Sequence, residues 1–508
     1  MLGARHIARN VFFNWFGTIA NMAVGFFLSP FIVHRLGNVA FGVWGLAISV
    51  VAYMALLDLG LQSSVLRFIN KGHSQGDHRG ASDALSAAVW VRLQISVVIV
   101  VLTIVVAMVF PHIFKIPYDL TRAAQIAILL IGLKTTLNMS VGVFGAVLSG
   151  LNRYDLQNGV SLVQTAIRVT GVIFVLITGH GIVAIAVCEL VAAIVSNTLL
   201  VFVARHLYPE LRVQLKKPSR QTLRPLWAYS AYAFLTTVAV QLVYQTDNLV
   251  VGKYVSIAAV TFYMIGNSLC SYANQVVEGI GGTFVPAAST YEATGDKRSL
   301  LKLYRNGTRA ILAISLPIMI TLIVRGSTFI GLWMGPEYAH TSGMILLILC
   351  VARIFSFANR TAGAIAFGIE KHKVPAIWAI SEGITNLVLS ITLAHWFGIY
   401  GVAVGTLIPS LVVQIFLWPG YVGELVGISR FEVLAKIWAP VFVASLPYAA
   451  ATYFVNAWYP VHSLFVFALQ VLALLPIFFM FLGLVFREYV RGQIFPLLRT
   501  FFVAEANT

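Results

Sequence analysis

The chain has 508 residues, of which 59% are hydrophobic and only 10% are charged, and its formal net charge is +16. Soluble domains carry about 25% charged residues, so the composition excludes a soluble globular protein and indicates one that crosses a membrane many times. The three cysteines lie in apolar stretches, which argues against a disulfide framework, and no Cys/His spacing typical of a metal site occurs. We expect no cofactor and no metal.

Apolar runs of roughly 20 residues, the length that crosses a bilayer, predict about 14 spanning helices and an all-α fold. The N-terminal run, from Val11 to Val33, is too long for the core of a cleaved signal peptide, so we assign it to the first span. The predicted spans cover 11–33, 39–63, 86–110, 121–148, 159–178, 181–204, 223–252, 255–285, 309–325, 341–368, 374–396, 399–423, 434–457 and 461–486.

The basic residues indicate the orientation of the chain in the membrane rather than an affinity for nucleic acid. With the N-terminus in the cytoplasm, the cytoplasmic segments hold about 24 Lys and Arg residues and the external segments about five. The external ones are Arg35, Lys115, Arg122, Lys253 and Arg325. We therefore expect both termini in the cytoplasm, and anionic phospholipid as a partner of the basic face.

An internal repeat with a register of about 219 residues relates the two halves of the chain. The pair Gly76-Asp77 recurs as Gly295-Asp296, and the run 150–153 recurs as 368–371. In this register Lys134 falls on Arg353, and both lie well inside long apolar segments. Duplicated halves with charge facing the gap between them are typical of secondary transporters.

The repeat predicts the organisation of the chain. Each half holds six predicted spans, an even number, so we expect a parallel repeat of two pseudo-symmetric six-helix lobes. Two further helices at the C-terminal side have no counterpart in the repeat. The predicted parts are an N-lobe over 1–205, a basic cytoplasmic linker over 206–222, a C-lobe over 223–425, two extra helices over 433–486 and a cytoplasmic tail over 487–508.

Four stretches of sequence, in order along the chain, carry a resemblance to a known family. They are LSPFIVHRLGNVAFGVWGLAISVVAYMALLDLGL at 28–61, YQTDNLVVGKYVSIAAVTFYMIGNSL at 244–269, IGLWMGPEY at 330–338 and GIYGVAVGTLI at 398–408. In these stretches the chain resembles the polysaccharide-biosynthesis flippases. Those are the lipid-linked oligosaccharide flippases of the multidrug/oligosaccharidyl-lipid/polysaccharide exporter superfamily.

The resemblance implies a multi-pass carrier of the bacterial cytoplasmic membrane, with two lobes around a central cavity. Its substrate is expected to be an undecaprenyl-diphosphate-linked sugar or repeat unit, flipped to the external leaflet for assembly of O-antigen, exopolysaccharide or capsule. An ion gradient rather than ATP is expected to drive it, and no G-x-x-x-x-G-K-[ST] loop is present. We expect a functional monomer, with a polysaccharide polymerase and a chain-length regulator as partners.

Four cations in the predicted spans are candidates for binding the diphosphate. Lys134 and Arg353 lie roughly 20 Å from the nearest end of their spans, too deep for their side chains to reach water by snorkelling. Arg168 and Arg360 are further candidates. A buried ion pair between helices, such as Arg168 with Glu189, stays an alternative, as does a loop contact for Arg360.

The acids in the predicted spans offer sites for an ion. An intramembrane carboxylate binds Na⁺, or carries a proton when burial raises its pKa. Asp247 has the alternative of pairing with Lys253, and Arg92 that of anchoring its helix at the membrane interface. The candidates for ion coupling are Glu189, Asp247 and Glu382. The candidates for gate or inter-helix contacts are Asp58, Glu278 and Arg92.

Three competing functions are weighed. A membrane polymerase, ligase or glycosyltransferase needs catalytic residues on a sizeable external loop, whereas the external connections here are short; we therefore expect no enzyme. A multidrug/cation antiporter has about 12 helices and a cavity biased towards acids, since its substrates are cationic. A lipid II flippase of peptidoglycan synthesis also moves a diphosphate, so the charges leave that alternative open.

Overall fold

A computed structural model describes residues 4–58, 61–215, 217, 238, 241–242 and 245–486. Every regular element among these residues is helical, which confirms the all-α fold. Two compact units are present: unit 1 holds Met1–Met264 and Ala379–Gly405, and unit 2 holds Ile265–Trp378 and Thr406–Thr508. The lobe boundaries proposed from the repeat stay a prediction. The structure does not describe residues 216 and 218–222 of the predicted linker, the first half of the seventh predicted span, or the tail over 487–508.

Seven helices of the first half belong to unit 1, with a 3₁₀ turn at Tyr53–Asp58 after the first of them. Helix α4 packs against α3 and α7, and α6 packs against α1 and α7. The helices are α1 (Ala4–Ala52), α2 (Leu61–Gln75), α3 (His78–Phe114), α4 (Tyr118–Val141), α5 (Val143–Gly150), α6 (Tyr154–Ile177) and α7 (Ile182–Leu207).

Ten further helices with described bounds follow from Ile257 onward, and the central residues 379–405 of α13 belong to unit 1. Two π-helical segments, Val412–Leu417 and Val433–Trp438, connect consecutive helices. The helices are α8 (Ile257–Gly281), α9 (Phe284–Ala293), α10 (Lys297–Trp333), α11 (Pro336–Ala358), α12 (Arg360–Gly368), α13 (Lys373–Leu411), α14 (Trp418–Val426), α15 (Arg430–Glu432), α16 (Ala439–Trp458) and α17 (Leu464–Val485).

Ten helical stretches within the described residues are long and apolar enough to cross a membrane. Two of them bend sharply at a glycine: α1 at Gly37, with φ +77°, and α13 at Gly398, with φ +57°. A positive φ is open to glycine because it lacks a β-carbon. Each bend falls where the sequence predicts one span to end and the next to begin. The chain is therefore a multi-pass membrane protein, and the total of about 14 spans stays a prediction.

The fourth and tenth predicted spans, 121–148 and 341–368, are each built from a long and a short helix. Gly142 alone separates α4 from α5, and Asn359 alone separates α11 from α12. Each short helix is followed by a non-glycine residue in the left-handed region, Asn152 with φ +56° and Glu370 with φ +59°. The backbone thus repeats its irregular features in the same register as the sequence.

The loops before α3 and α10 repeat in the same way. Gly76 and Gly295 have φ +70° and +67°, and the aspartate that follows each of them caps the next helix. Asp77 accepts a hydrogen bond from the backbone N–H of Gly80 at 2.8 Å, and Asp296 accepts one from Ser299 at 3.0 Å. Such caps satisfy N–H groups that the first helical turn leaves unpaired. The hydrogen bonds from Ser299 also lower the pKa of Asp296 below its ordinary value.

Replacing Gly398 with alanine is expected to lower the melting temperature of the purified protein. The left-handed backbone penalises a β-carbon by about 1 kcal/mol, and no atom within 4 Å is available to pack against it. Gly420→Ala is the matched control, because Gly420 lies in α14 with the same free space and without a positive φ. Equal melting temperatures for the two variants would show that the bend at Gly398 is not strained by a side chain.

Candidate charge cluster in unit 1

Three charged side chains meet in unit 1: Lys134 of α4, Arg168 of α6 and Glu189 of α7. The Lys134 ammonium donates to Glu189 Oε2 at 2.5 Å, and Arg168 Nη1 lies 3.8 Å from Glu189 Oε1. Glu189 is 14% exposed, whereas Lys134 and Arg168 are 26% and 32% exposed. The structure therefore brings together two candidates for the diphosphate and one candidate for ion coupling.

The charges in this cluster do not balance. Two cations and one carboxylate leave a formal charge of +1, and each oxygen of Glu189 faces a different cation. Among the described residues, no hydrogen-bond acceptor faces the buried Arg168 Nε. A buried N–H without an acceptor costs about 1–3 kcal/mol, so the site favours an additional anionic or polar oxygen near Arg168.

Neutral polar groups extend the cluster across neighbouring helices. Asn197 of α7 donates to Asn138 Oδ1 at 2.7 Å, and Asn138 follows Lys134 by one turn on the same face of α4. Thr165, which precedes Arg168 by one turn, donates to Asn21 Oδ1 at 2.7 Å. Asn138 and Asn197 are not among the site residues predicted from the sequence. The available signal was helical spacing: Asn138 follows Lys134 by four positions, and Asn197 follows Glu189 by eight.

Arg92 makes an inter-helix contact. Its Nη2 donates to Asp58 at 2.5 Å, its Nη1 donates to the carbonyl of Met139 at 3.1 Å, and the side chain is only 2% exposed. The contact is of the inter-helix kind predicted for Arg92 and Asp58, whereas anchoring at the membrane interface stays an untested alternative. The predicted span began at 86, whereas α3 begins at His78, so Arg92 lies roughly 20 Å along the helix.

Asp247 lies in a second polar group of unit 1. The Tyr263 hydroxyl donates to Asp247 Oδ2 at 2.5 Å, and Asp247 is only 6% exposed. On either side of it, Thr246 contacts the Tyr53 hydroxyl at 2.6 Å and Asn248 donates to Ser49 at 3.0 Å.

Lys253 donates to the carbonyl of Ile113 at 2.8 Å. The coupling candidate Asp247 is thus a buried carboxylate among hydroxyls and amides. The third candidate, Glu382, lies half-buried on the part of α13 that belongs to unit 1.

The remaining candidates lie in unit 2. Arg353 is half-buried on α11, three residues after Cys350. Arg360, at the start of α12, pairs with Glu278 of α8 at 3.3 Å, and both side chains are more than a third exposed. Lys134 and Arg353 belong to different units, and their joint action on one substrate stays a prediction.

Arg325 is a buried cation that the sequence analysis placed in an external segment. It lies two turns inside α10 and is 1% exposed. Its Nη2 donates to Gln470 of α17 at 2.6 Å, its Nε donates to Asn456 of α16 at 3.4 Å, and its guanidinium lies 4.5 Å from the ring centre of Phe467. This side chain links both C-terminal helices to α10.

A family model described as a polysaccharide biosynthesis protein matches residues 33–343. The chain belongs to this family. The resemblance carried by the four sequence stretches is thereby confirmed.

Known proteins resemble this chain in sequence or in fold. The membrane protein EpsK of Bacillus subtilis is 25% identical over 429 residues, 82% of this chain and 83% of that protein. A Haloferax volcanii protein named as a low-salt glycan biosynthesis flippase is 22% identical over 78% of this chain and 80% of its own length. The solved structure of the lipid II flippase MurJ in an inward closed conformation has a TM-score of 0.73 at 15% identity, over 95% of this chain and 100% of that one. This last likeness concerns the fold alone.

Replacing Asp58 with alanine is expected to destabilise the protein by about 3 kcal/mol, because it leaves the Arg92 charge buried without its carboxylate. Unfolding of the purified variant in detergent measures the loss. Lys436→Ala is the control: the pair of Lys436 with Glu432 lies on the surface, with Lys436 71% exposed, and such pairs contribute roughly 0–1 kcal/mol. A loss for Asp58→Ala no larger than that of the control would mean that Arg92 finds another acceptor.

Proposed function

We propose that the chain is a flippase that moves an undecaprenyl-diphosphate-linked sugar or oligosaccharide repeat unit from the cytoplasmic to the external leaflet. The glycan then serves assembly of a surface polysaccharide such as O-antigen, exopolysaccharide or capsule. Family membership and the relative named as a glycan flippase support a transporter rather than an enzyme. The bias of basic residues supports a cytoplasmic-membrane protein with both termini in the cytoplasm.

The observation that carries this proposal is the excess positive charge of the Lys134–Arg168–Glu189 cluster. A diphosphate cannot enter hydrocarbon alone, because an unpaired charge in an apolar medium costs many kcal/mol. Two cations held at depth by three packed helices offset that cost, and the buried Arg168 Nε supplies a further donor. A cationic drug, by contrast, is repelled by a site with net positive charge. The cluster therefore disfavours the multidrug/cation antiporter.

Glu189 gives the cluster a way to link ion binding to substrate binding. Without substrate, the carboxylate holds both cations; a diphosphate must compete with it for Lys134 and Arg168. A proton or Na⁺ on Glu189 removes that competition, because it neutralises the charge that the cations face. Substrate and ion at this site then strengthen each other's binding, as thermodynamic linkage requires.

The membrane potential acts on the same step. With the inside negative, outward movement of an anionic head group is favoured by about 2.3 kcal/mol per charge for each 100 mV. Asp247 and Glu382 remain the other candidates for an ion in unit 1.

Replacing Lys134 with glutamine is expected to reduce flipping of undecaprenyl-diphosphate-linked glycan at least about tenfold, the effect of losing roughly 1.4 kcal/mol of binding. Arg168→Gln and Arg353→Gln are expected to act in the same direction. The measurement is glycan accessibility on the outside of reconstituted vesicles, normalised to protein amount. Arg153→Gln is the matched control, since Arg153 pairs with Asp155 away from the cluster. Normal flipping by Lys134→Gln would rule out this site.

Replacing Glu189 with glutamine is expected to tighten binding of undecaprenyl diphosphate about tenfold at neutral pH, because the competing carboxylate is gone. Thermal unfolding, measured in parallel, separates a change in affinity from a loss of folded protein. Weaker binding by folded Glu189→Gln would contradict the competition between Glu189 and the diphosphate.

A further inference from the structure

A groove of about 600 Å³ runs along α4 and α7 in unit 1 and adjoins the polar extension of the charge cluster at Asn197, while none of the three charged residues lines it. Leu137 and Val141 of α4 form one wall, and Ile194, Val201 and Phe202 of α7 form the other. Ile194 is 47% exposed and Phe202 is 68% exposed. Both helices are long and apolar enough to cross the membrane, so this open apolar groove faces a medium that an apolar chain can fill.

One end of the groove is basic. Arg205 and His206, in the last turn of α7, line this end and are exposed, and Asn197 and Thr198 line the middle of the groove. Two further exposed basic residues, Arg212 and Lys217, follow α7 along the chain. No acidic residue lines the groove within the described part of the chain. A cation at a helix C-terminus also stabilises the helix, but that role does not require an apolar groove leading away from it.

The length of the groove limits what can occupy it. From Ile194 to His206 the helix advances roughly 18 Å, at about 1.5 Å per residue. The hydrocarbon core of a bilayer is about 30 Å thick, so the groove spans little more than one leaflet. An acyl chain of one leaflet fits this length with its phosphate at the basic end.

We propose that this groove is a binding site for an anionic phospholipid. One acyl chain lies along Leu137, Ile194 and Phe202, and the phosphate of the head group binds Arg205 and His206. Basic pockets between spanning helices recognise anionic head groups in this way. The site is independent of the transported glycan, whose diphosphate is assigned to Lys134 and Arg168.

The probe is phosphatidylglycerol carrying a photoreactive group in its acyl chain, in vesicles of phosphatidylglycerol and phosphatidylcholine that hold the full-length protein. We expect crosslinks to residues 137–141 and 194–202. The double variant Arg205→Gln/His206→Gln should lower crosslinking at least about fivefold, the equivalent of about 1 kcal/mol for the loss of the Arg205 charge alone. A phosphatidylcholine probe with the same photoreactive group should crosslink there less than phosphatidylglycerol.

Two further variants complete the test. Lys302→Gln/Arg305→Gln removes two exposed basic residues of α10 and should leave crosslinking unchanged. Thr198→Trp fills the groove while leaving its basic end intact, and we expect it to abolish crosslinking. Equal labelling of all variants would overturn the site. If Thr198→Trp failed to bind undecaprenyl diphosphate but was still labelled by phosphatidylglycerol, the phospholipid site would be overturned, and the groove would instead hold the tail of the substrate.

Discussion

The contact of one carboxylate with two cations is the constraint on which unit 1 depends. Glu189 contacts both Lys134 and Arg168, and it thereby joins α7 to both α4 and α6. Removing one member of a buried ionic group strands the charge of the others, which costs several kcal/mol. The packing of these three helices therefore depends on the same side chains to which the proposed anion site is assigned.

The repeat reproduces backbone features more faithfully than it reproduces charge. Left-handed glycines, aspartate caps and divided helices recur in both halves. Lys134 has a cationic counterpart in Arg353, but the positions that match Arg168 and Glu189 hold Leu387 and Ile408. The three-charge cluster is thus particular to the first half. The two halves of the chain therefore share backbone features but differ in the charged residues that they carry.

Apolar run length and the repeat were sufficient to predict the all-α membrane fold. They also raised the pair Arg168–Glu189 as an alternative. They did not identify Lys134 as the nearer partner of Glu189, because depth along a helix does not determine which neighbour a side chain faces. Arg92 and Asp58 were both assigned to inter-helix contacts, but the sequence did not show that they pair with each other. The partners of Arg325 were missed because amides more than 130 positions away carry no charge signal.

The linkage of α10 to the last two helices has an evolutionary and practical consequence. A shortened protein that ended before α15 would lose both amide acceptors and the aromatic ring that surround the Arg325 guanidinium, and the bare charge would then face acyl chains. Deletion of the last two helices is accordingly not expected to be neutral unless residue 325 changes along with it. A homologue that lacks the last two helices is therefore expected to carry an uncharged residue in place of Arg325, more than a hundred positions before the deletion.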